Sequence, residues 1–327
     1  MSCFYQITLF ILFVMIFIVQ SPISEAAEIP EVTETEARKA AIFQILLDMT
    51  AVPNSFFDDT NMINTFEGYS TANKPDFIER SASPWKGKVI YLGPAMEVYD
   101  KSDSLYSYLF NLTADNKNVG FLEVRASKGE YPIECFAYDG VGIDIDAMEK
   151  MASSISAQNQ TAANIMKFWA SPNMYGRTYP LLTQGMTTEQ LLLDLRTRMQ
   201  TDNTGKTPHP NLISQGMDSY GKSKGYATAH GWYIDFPTYI DYTSSLWFIG
   251  PSVLSFHKIG YYHNSDHAVT GVGAIKFVYN GSSAGHEYME VHDNWPSPTT
   301  SMYIRYEDNP SSGKTYEGLY LDLFSLN

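Results

Sequence analysis

Five of the seven histidines crowd late into the chain, at His257, His263, His267, His286 and His292, with Asp266, Glu287 and Asp293 among them. Imidazoles beside carboxylates can hold a metal or act as a general base. His263 and His267 have the HxxxH spacing that places two rings on one helix face. Here, however, His267 opens HAVTGVGAIKFV, a run that reads as a strand. Four residues of strand cover about 13 Å, too far for two nitrogens that must each approach one zinc to about 2.1 Å. No metal and no cofactor is therefore expected. A base is the better reading: a histidine heading one strand can be oriented by Asp293, which ends the neighbouring run MEVHDNWPSP. The carboxylate would accept one imidazole N–H and fix the tautomer, leaving the other nitrogen to take a proton. Trp295 could then shield that bond from water. His267, Asp293 and Trp295 form a candidate base, orienter and shield, and ordinary strand-end residues would look the same.

A base needs a nucleophile to activate. The chain has two cysteines, Cys3 and Cys135. Cys3 lies in a leader, residues 1–26, whose apolar run Ile7–Val19 precedes Pro22 and a cut expected near Ala26 or Ala27. That pattern is a secretory signal, and the run is shorter than the ~20 residues needed to span a bilayer. Cys135 sits in the strand-like YPIECFAYDG, where a lone cysteine behaves as a small buried hydrophobe. No disulfide framework and no thiol beyond residue 135 is available. At SAQNQTAANIMKFW, residues 156–169, polar residues lead into a small, apolar helix start. Such a start suits a buried nucleophile, yet only Ser156 could act as one.

The surrounding elements divide the chain in two. TETEARKAAIFQILLDM, residues 33–49, opens with a Thr33…Glu36 capping box and repeats apolar residues at helical spacing. After a loop-rich stretch come KVIYLG, AMEVYD, SLYSYLFNLT, NVGFLEVRAS and YPIECFAYDG, read as strands, with ADNKN as a hairpin turn. The second half begins with helices near 160–169, at TTEQLLLDLRTRMQTD with a Thr187…Gln190 capping box, and at NLISQGMDSYGKSKGY, ending near Gly221. Strand-like PSVLSF, HAVTGVGAIKFVY, EYMEVHDNW and TSMYIRYED follow. The fold class expected is α+β: a signal at 1–26, a helix plus antiparallel-sheet domain at 28–148, and a second α+β domain at 150–327.

Composition narrows the partners. With 327 residues, 44% of them apolar and 14% aromatic, the chain can bury substantial cores. A formal charge of −14 excludes nucleic acid and anionic membrane as natural partners. Twenty-three tyrosines and sequons at Asn111, Asn159 and Asn280 suit an extracellular glycoprotein.

Together the runs GPSVLSF, HAVTGVGAIKF and YMEVHDNW resemble the C39-like branch of the papain-fold cysteine peptidases, in which three such strands occur in this order. Upstream, TAANIMKFW, YPLL, EQLLLDLRTRM and ISQGMDSYGKSKGY extend the resemblance over roughly residues 155–305. In that family a CxPTAA-type helix start supplies the cysteine. Aligning Thr161, Ala162 and Ala163 with its small-residue run puts the nucleophile position at Gln158, and an amide has no ionisable proton to give up. The oxyanion-hole glutamine also departs, with Ala152, Ser153 and Ser154 in its place. The N-terminal half looks like the pro-region of secreted papain-fold peptidases. The resemblance implies a secreted protein that is not an enzyme, with relict positions Gln158, His267, Asp293 and Trp295. Such a protein would bind a peptide, protein or other extracellular ligand in the former cleft. The alternative is a hydrolase using Ser156, or another hydroxyl such as Thr161, with His267 and Asp293. A structural protein rich in tyrosine is a third class.

Overall fold

The computed structural model describes residues 31–50, 83–128, 131–142, 157–171, 178–202, 205–262, 266–278, 285–293, 301–306 and 318–326. The leader, Ser156, His263, Trp295, Asn280 and the Ala152–Ser154 stretch lie outside them. No helix among the described residues is long and apolar enough to cross a membrane.

The described residues form helices and one ten-stranded antiparallel sheet. The strands are β1 (Tyr91–Tyr99), β2 (Leu105–Ala114), β3 (Lys117–Arg125), β4 (Ile133–Ala137), β5 (Ala229–Asp235), β6 (Ser252–His257), β7 (Asp266–Val278), β8 (Gly285–His292), β9 (Met302–Arg305) and β10 (Leu319–Leu326). Their order across the sheet is β1-β2-β3-β4-β9-β8-β7-β6-β10-β5. KVIYLG and AMEVYD are not two strands but one. Pro94 falls inside β1, where the register against β2 shifts between Leu92 and Ala95. An edge strand tolerates proline because one side of it needs no ladder donor. The turn between β2 and β3 is the two-residue Asp115-Asn116, both with positive φ (50° and 60°), the twist that suits a tight hairpin. Gly120 in β3 has φ +121°, and a Cβ there would sit 1.9 Å from the Ala137 carbonyl oxygen, so only glycine lets β3 lie this close to β4.

Among the described residues five α-helices cover the sheet: α1 (Glu34–Thr50), α2 (Ala157–Ala170), α3 (Thr188–Arg198), α4 (Asn211–Ser223) and α5 (Tyr239–Phe248). Both expected capping boxes form. Thr33 N–H donates to Glu36 at 2.9 Å, and the Thr187 and Gln190 side chains satisfy each other's backbone N–H groups. Helix α4 runs past Gly221 to Ser223, and Gly225, with φ +90°, follows its end. Helix α5 has its own capping box between Thr238 and Asp241. Its sequence, crowded with tyrosine, threonine and tryptophan, gives little helical propensity to read.

Strand alternation sorts the core in three. One face of the sheet carries Leu109, Phe121, Cys135, Ile304, Met289, Val269, Leu254 and Leu321, closed over by Tyr239, Tyr242 and Leu246 of α5 and by Tyr261 and Tyr262. Ala162, Ile165, Met166 and Trp169 of α2 pack with α3 and α4 against Val253, Ala268, Phe324 and Leu326 on the other face. Helix α1 covers Phe110, Phe136, Tyr288 and Phe277. This last helix buries its small and polar side: Ala37, Ala41, Gln44, Ile45 and Asp48. Large Ile42 and Leu46 stay outward, 45% and 55% exposed. Two alanines let the helix approach an aromatic floor, while Asp48 accepts from Ser83 and from Tyr138 (2.6 Å), and Gln44 accepts from Tyr131. Asp48, with both oxygens paired, costs little to bury, whereas Gln44 keeps a buried Nε2 with no hydrogen-bond partner among the described residues.

Candidate functional site

Helix α2 lies along the start of β7. Ala162 and Ala163, both fully buried, add almost no bulk, so the helix backbone can come close to the sheet. Thr161 Oγ1 donates to the Ala268 carbonyl (3.3 Å), and one turn later Asn164 Nδ2 donates to Thr270 Oγ1 (3.3 Å). Gln158 sits one turn before Thr161, half-buried in the first turn of the helix. Thr161 is therefore engaged with the strand and fully buried, which removes it as a hydroxyl nucleophile. Beside it, Asn159 is 3% exposed and its Oδ1 accepts from Thr201 Oγ1 at 3.0 Å. A glycan at Asn159 has no room, so this sequon is corrected to a buried structural amide. Asn111 is half-buried, and its Oδ1 accepts from the Gly142 N–H at 2.7 Å.

His267 is 4% exposed. Its Nε2 lies 2.9 Å from the main-chain oxygen of Asp293, which ends β8. A carbonyl can only accept, so Nε2 carries the proton and Nδ1 is the basic nitrogen. The sequence assigned this orienting role to the Asp293 carboxylate, whereas a main-chain oxygen fills it at this distance. The ring leans on Tyr262, with centroids 4.6 Å apart. Burial pushes the His267 pKa down to about 4, while the carbonyl contact pulls weakly the other way.

Direction matters as much as distance. His267 pairs with Phe256, and Val269 follows on the same side, both of them facing the α5 core. Ala268 faces α2 instead. The imidazole thus leaves the strand on the face turned away from the helix that carries Gln158. The structure brings His267 and Asp293 together, and it sets Gln158 on the opposite side of β7 from the ring.

The remaining thiol is found on the same core as the imidazole. Cys135 on β4 is fully buried, and its Sγ donates to Glu123 Oε2 at 3.4 Å. Burial, with Glu123 and Glu134 nearby, pushes the thiol well up, so it is a protonated hydrogen-bond donor and not a nucleophile. Glu123 also accepts from Ser107 Oγ. Its carboxyl is raised to about 7 by burial, against the pull of these two hydrogen bonds. Sequence reading did not single out Glu123; a charged residue inside GFLEVR, between apolar neighbours on a strand, was the available signal. Among the described residues no group of three or more histidine, cysteine or acidic side chains is arranged to hold a metal ion. The histidines that clustered in sequence are dispersed: His257 pairs with Asp266 at the surface (2.7 Å), and His286 stacks on Tyr131.

No family model and no curated protein sequence matches the chain. Among solved structures it is similar, distantly, to a fragment of prointerpain A from Prevotella intermedia. That likeness has 13% sequence identity and a TM-score of 0.39, and it covers 70% of this chain and 98% of that one.

Proposed function

We propose that this is a secreted, non-catalytic protein of papain-like design that binds a peptide, protein or other extracellular ligand beside the first turn of α2. One observation carries the reading. The only base at the expected position, His267, is sealed in a core and held by a main-chain carbonyl, while Gln158 occupies the helix start where a nucleophile would stand. An imidazole that leaves β7 on the face away from α2 does not point at the Gln158 position. Secretion rests on the leader at residues 1–26. Residues 28–148, read as a pro-region-like domain, stay attached as a permanent partner of residues 150–327. In support of this, β4 pairs with β9 within a single sheet.

The test is incubation of the protein with broad peptide and ester libraries, and with a fluorophosphonate probe, beside a His267→Ala variant. No turnover and no covalent labelling is the expected result. Turnover or labelling that disappears in His267→Ala would overturn the reading and restore a hydroxyl nucleophile such as Ser156.

A further inference from the structure

Among the described residues, β1–β4 meet β5–β10 at a single strand pair, β4 against β9. The ladder there is short: Cys135 opposite Ile304, Phe136 opposite Tyr303, Ala137 opposite Met302. Side chains reinforce it. Arg305 of β9 reaches Glu134 of the β4 segment at 3.4 Å and donates to the Tyr131 carbonyl. Arg125 of β3 holds the same carboxylate at 2.8 Å. The Phe136 and Tyr303 rings stack across the junction, 4.9 Å apart and 8° from parallel. Tyr288 OH donates to the Ile133 carbonyl (3.3 Å), and Tyr106 OH to that of Gly260 (3.1 Å).

Glu123 stands beside this junction, opposite Cys135 in the β3–β4 register. It is 2% exposed, and its hydrogen-bond donors, the Ser107 hydroxyl and the Cys135 thiol, are both neutral. The groups around it come from every neighbouring strand. Ser107 is from β2, and Arg125 from its own strand β3. Cys135 and Glu134 come from β4, and Arg305 of β9 is linked to the group only through Glu134. Beyond Cys135 lie Asp293 and Tyr262, whose influence reaches that thiol or is reached by it. Both arginines are engaged by Glu134. An ionised Glu123 would thus face a second carboxylate, in low dielectric, with a weak thiol and a hydroxyl as its donors.

We propose that Glu123 is a proton-operated latch on the junction between the two halves of the sheet: protonated, it lets β4 hold β9, and ionised, it loosens that pairing. The neutral carboxyl can share its proton with Ser107 or Cys135, whereas the anion must be desolvated beside Glu134. Its proton is released to solvent when the junction opens. Burial raises the group from 4.5 to about 7, which places the transition near neutrality. A raised pKa in the folded state means stability that is full in acid. It is lost as pH rises from the ordinary glutamate value through about 7.

Cys135, inside the junction, supplies the readout. The full chain is labelled with iodoacetamide, modification at Cys135 is resolved by peptide mass, and the rate is divided by that of denaturant-unfolded chain at the same pH. Dividing removes the thiol's own ionisation. Protection is expected to fall by about tenfold or more between pH 5 and pH 8. Glu123→Gln should keep its acid-level protection at pH 8. Asp322→Asn removes another buried carboxyl, raised to about 8, on the other face of the sheet, and should keep the wild-type fall. A wild-type fall persisting in Glu123→Gln, or abolished in Asp322→Asn, would overturn the latch. If Glu123→Gln does not fold, amide hydrogen exchange on the wild type decides. Loss of protection at 133–137 and 302–305 but not at 319–326 supports the latch, and uniform loss refutes it.

Discussion

Glu123 on β3 and His267 on β7 lie on the same face of one sheet, with β4, β9 and β8 between them, and burial drives both toward their neutral forms. The consequences are opposite. An imidazole pushed from 6.5 to about 4 is neutral throughout the ordinary pH range. A carboxyl pushed from 4.5 to about 7 titrates where it otherwise would not. His267, the residue type best suited to switching near neutrality, has been silenced, and a glutamate has taken over that range. The setting decides which group is responsive, and the residue type alone does not.

The comparison can be broken most severely at Glu134, the buried carboxylate that, unlike Glu123, has cations as partners. Glu134→Ala removes the carboxylate shared by Arg125 and Arg305 in the interior and should cost about 3–5 kcal/mol, read as a lowered urea midpoint at pH 6. A loss below about 1 kcal/mol would mean that water reaches these guanidiniums and that the junction is not a dry site. A smaller effect is expected on the acid side. Because the His267 pKa is depressed, its contribution is full above about 6.5 and is lost as pH falls through about 4. His267→Gln should remove up to about 3 kcal/mol of that acid-limb loss, measured by thermal unfolding from pH 7 to pH 3. His286, also lowered to about 4, supplies a remainder. An unchanged limb would assign acid sensitivity to groups other than His267. The smallest change calibrates the rest. Lys222 and Asp218 form an exposed helical pair at 2.7 Å, and Lys222→Ala should move stability by less than about 0.5 kcal/mol with no new pH dependence.

Local signals were legible wherever the chain satisfies itself over a few residues. The Thr33…Glu36 and Thr187…Gln190 boxes, the turn within ADNKN and the strand-like runs at β2, β3 and β7 could all be read directly. What escaped was set by distant partners. LYLDLFSL forms β10 between β6 and β5, with both faces covered, so Leu319, Leu321 and Leu323 point to one core and Phe324 and Leu326 to the other. No short-range rule places it there. At the site, His267 and Asp293 could be associated from their positions at strand ends. The choice of main-chain oxygen over carboxylate depends on the backbone path after β8, which no residue type encodes. The face on which the imidazole emerges was fixed by strand parity against Ala268, and that required the register with β6.

The position of β10 also governs the order in which the protein can be built. Strand β5, residues 229–235, pairs with β10 alone among the described strands. While the chain emerges from the ribosome, β5 has no ladder partner until residues 319–326 have been made, and β6 has only β7. Pairings this remote in sequence form slowly, and exposed strand edges invite association in the meantime. One contact covers the opposite edge of β5: the Gly231 N–H, which points away from β10, donates to Asp218 Oδ1 of α4 at 3.3 Å. A helix made just before β5 thus covers the edge that β10 never reaches, and the edge that awaits β10 stays open until residues 319–326 arrive.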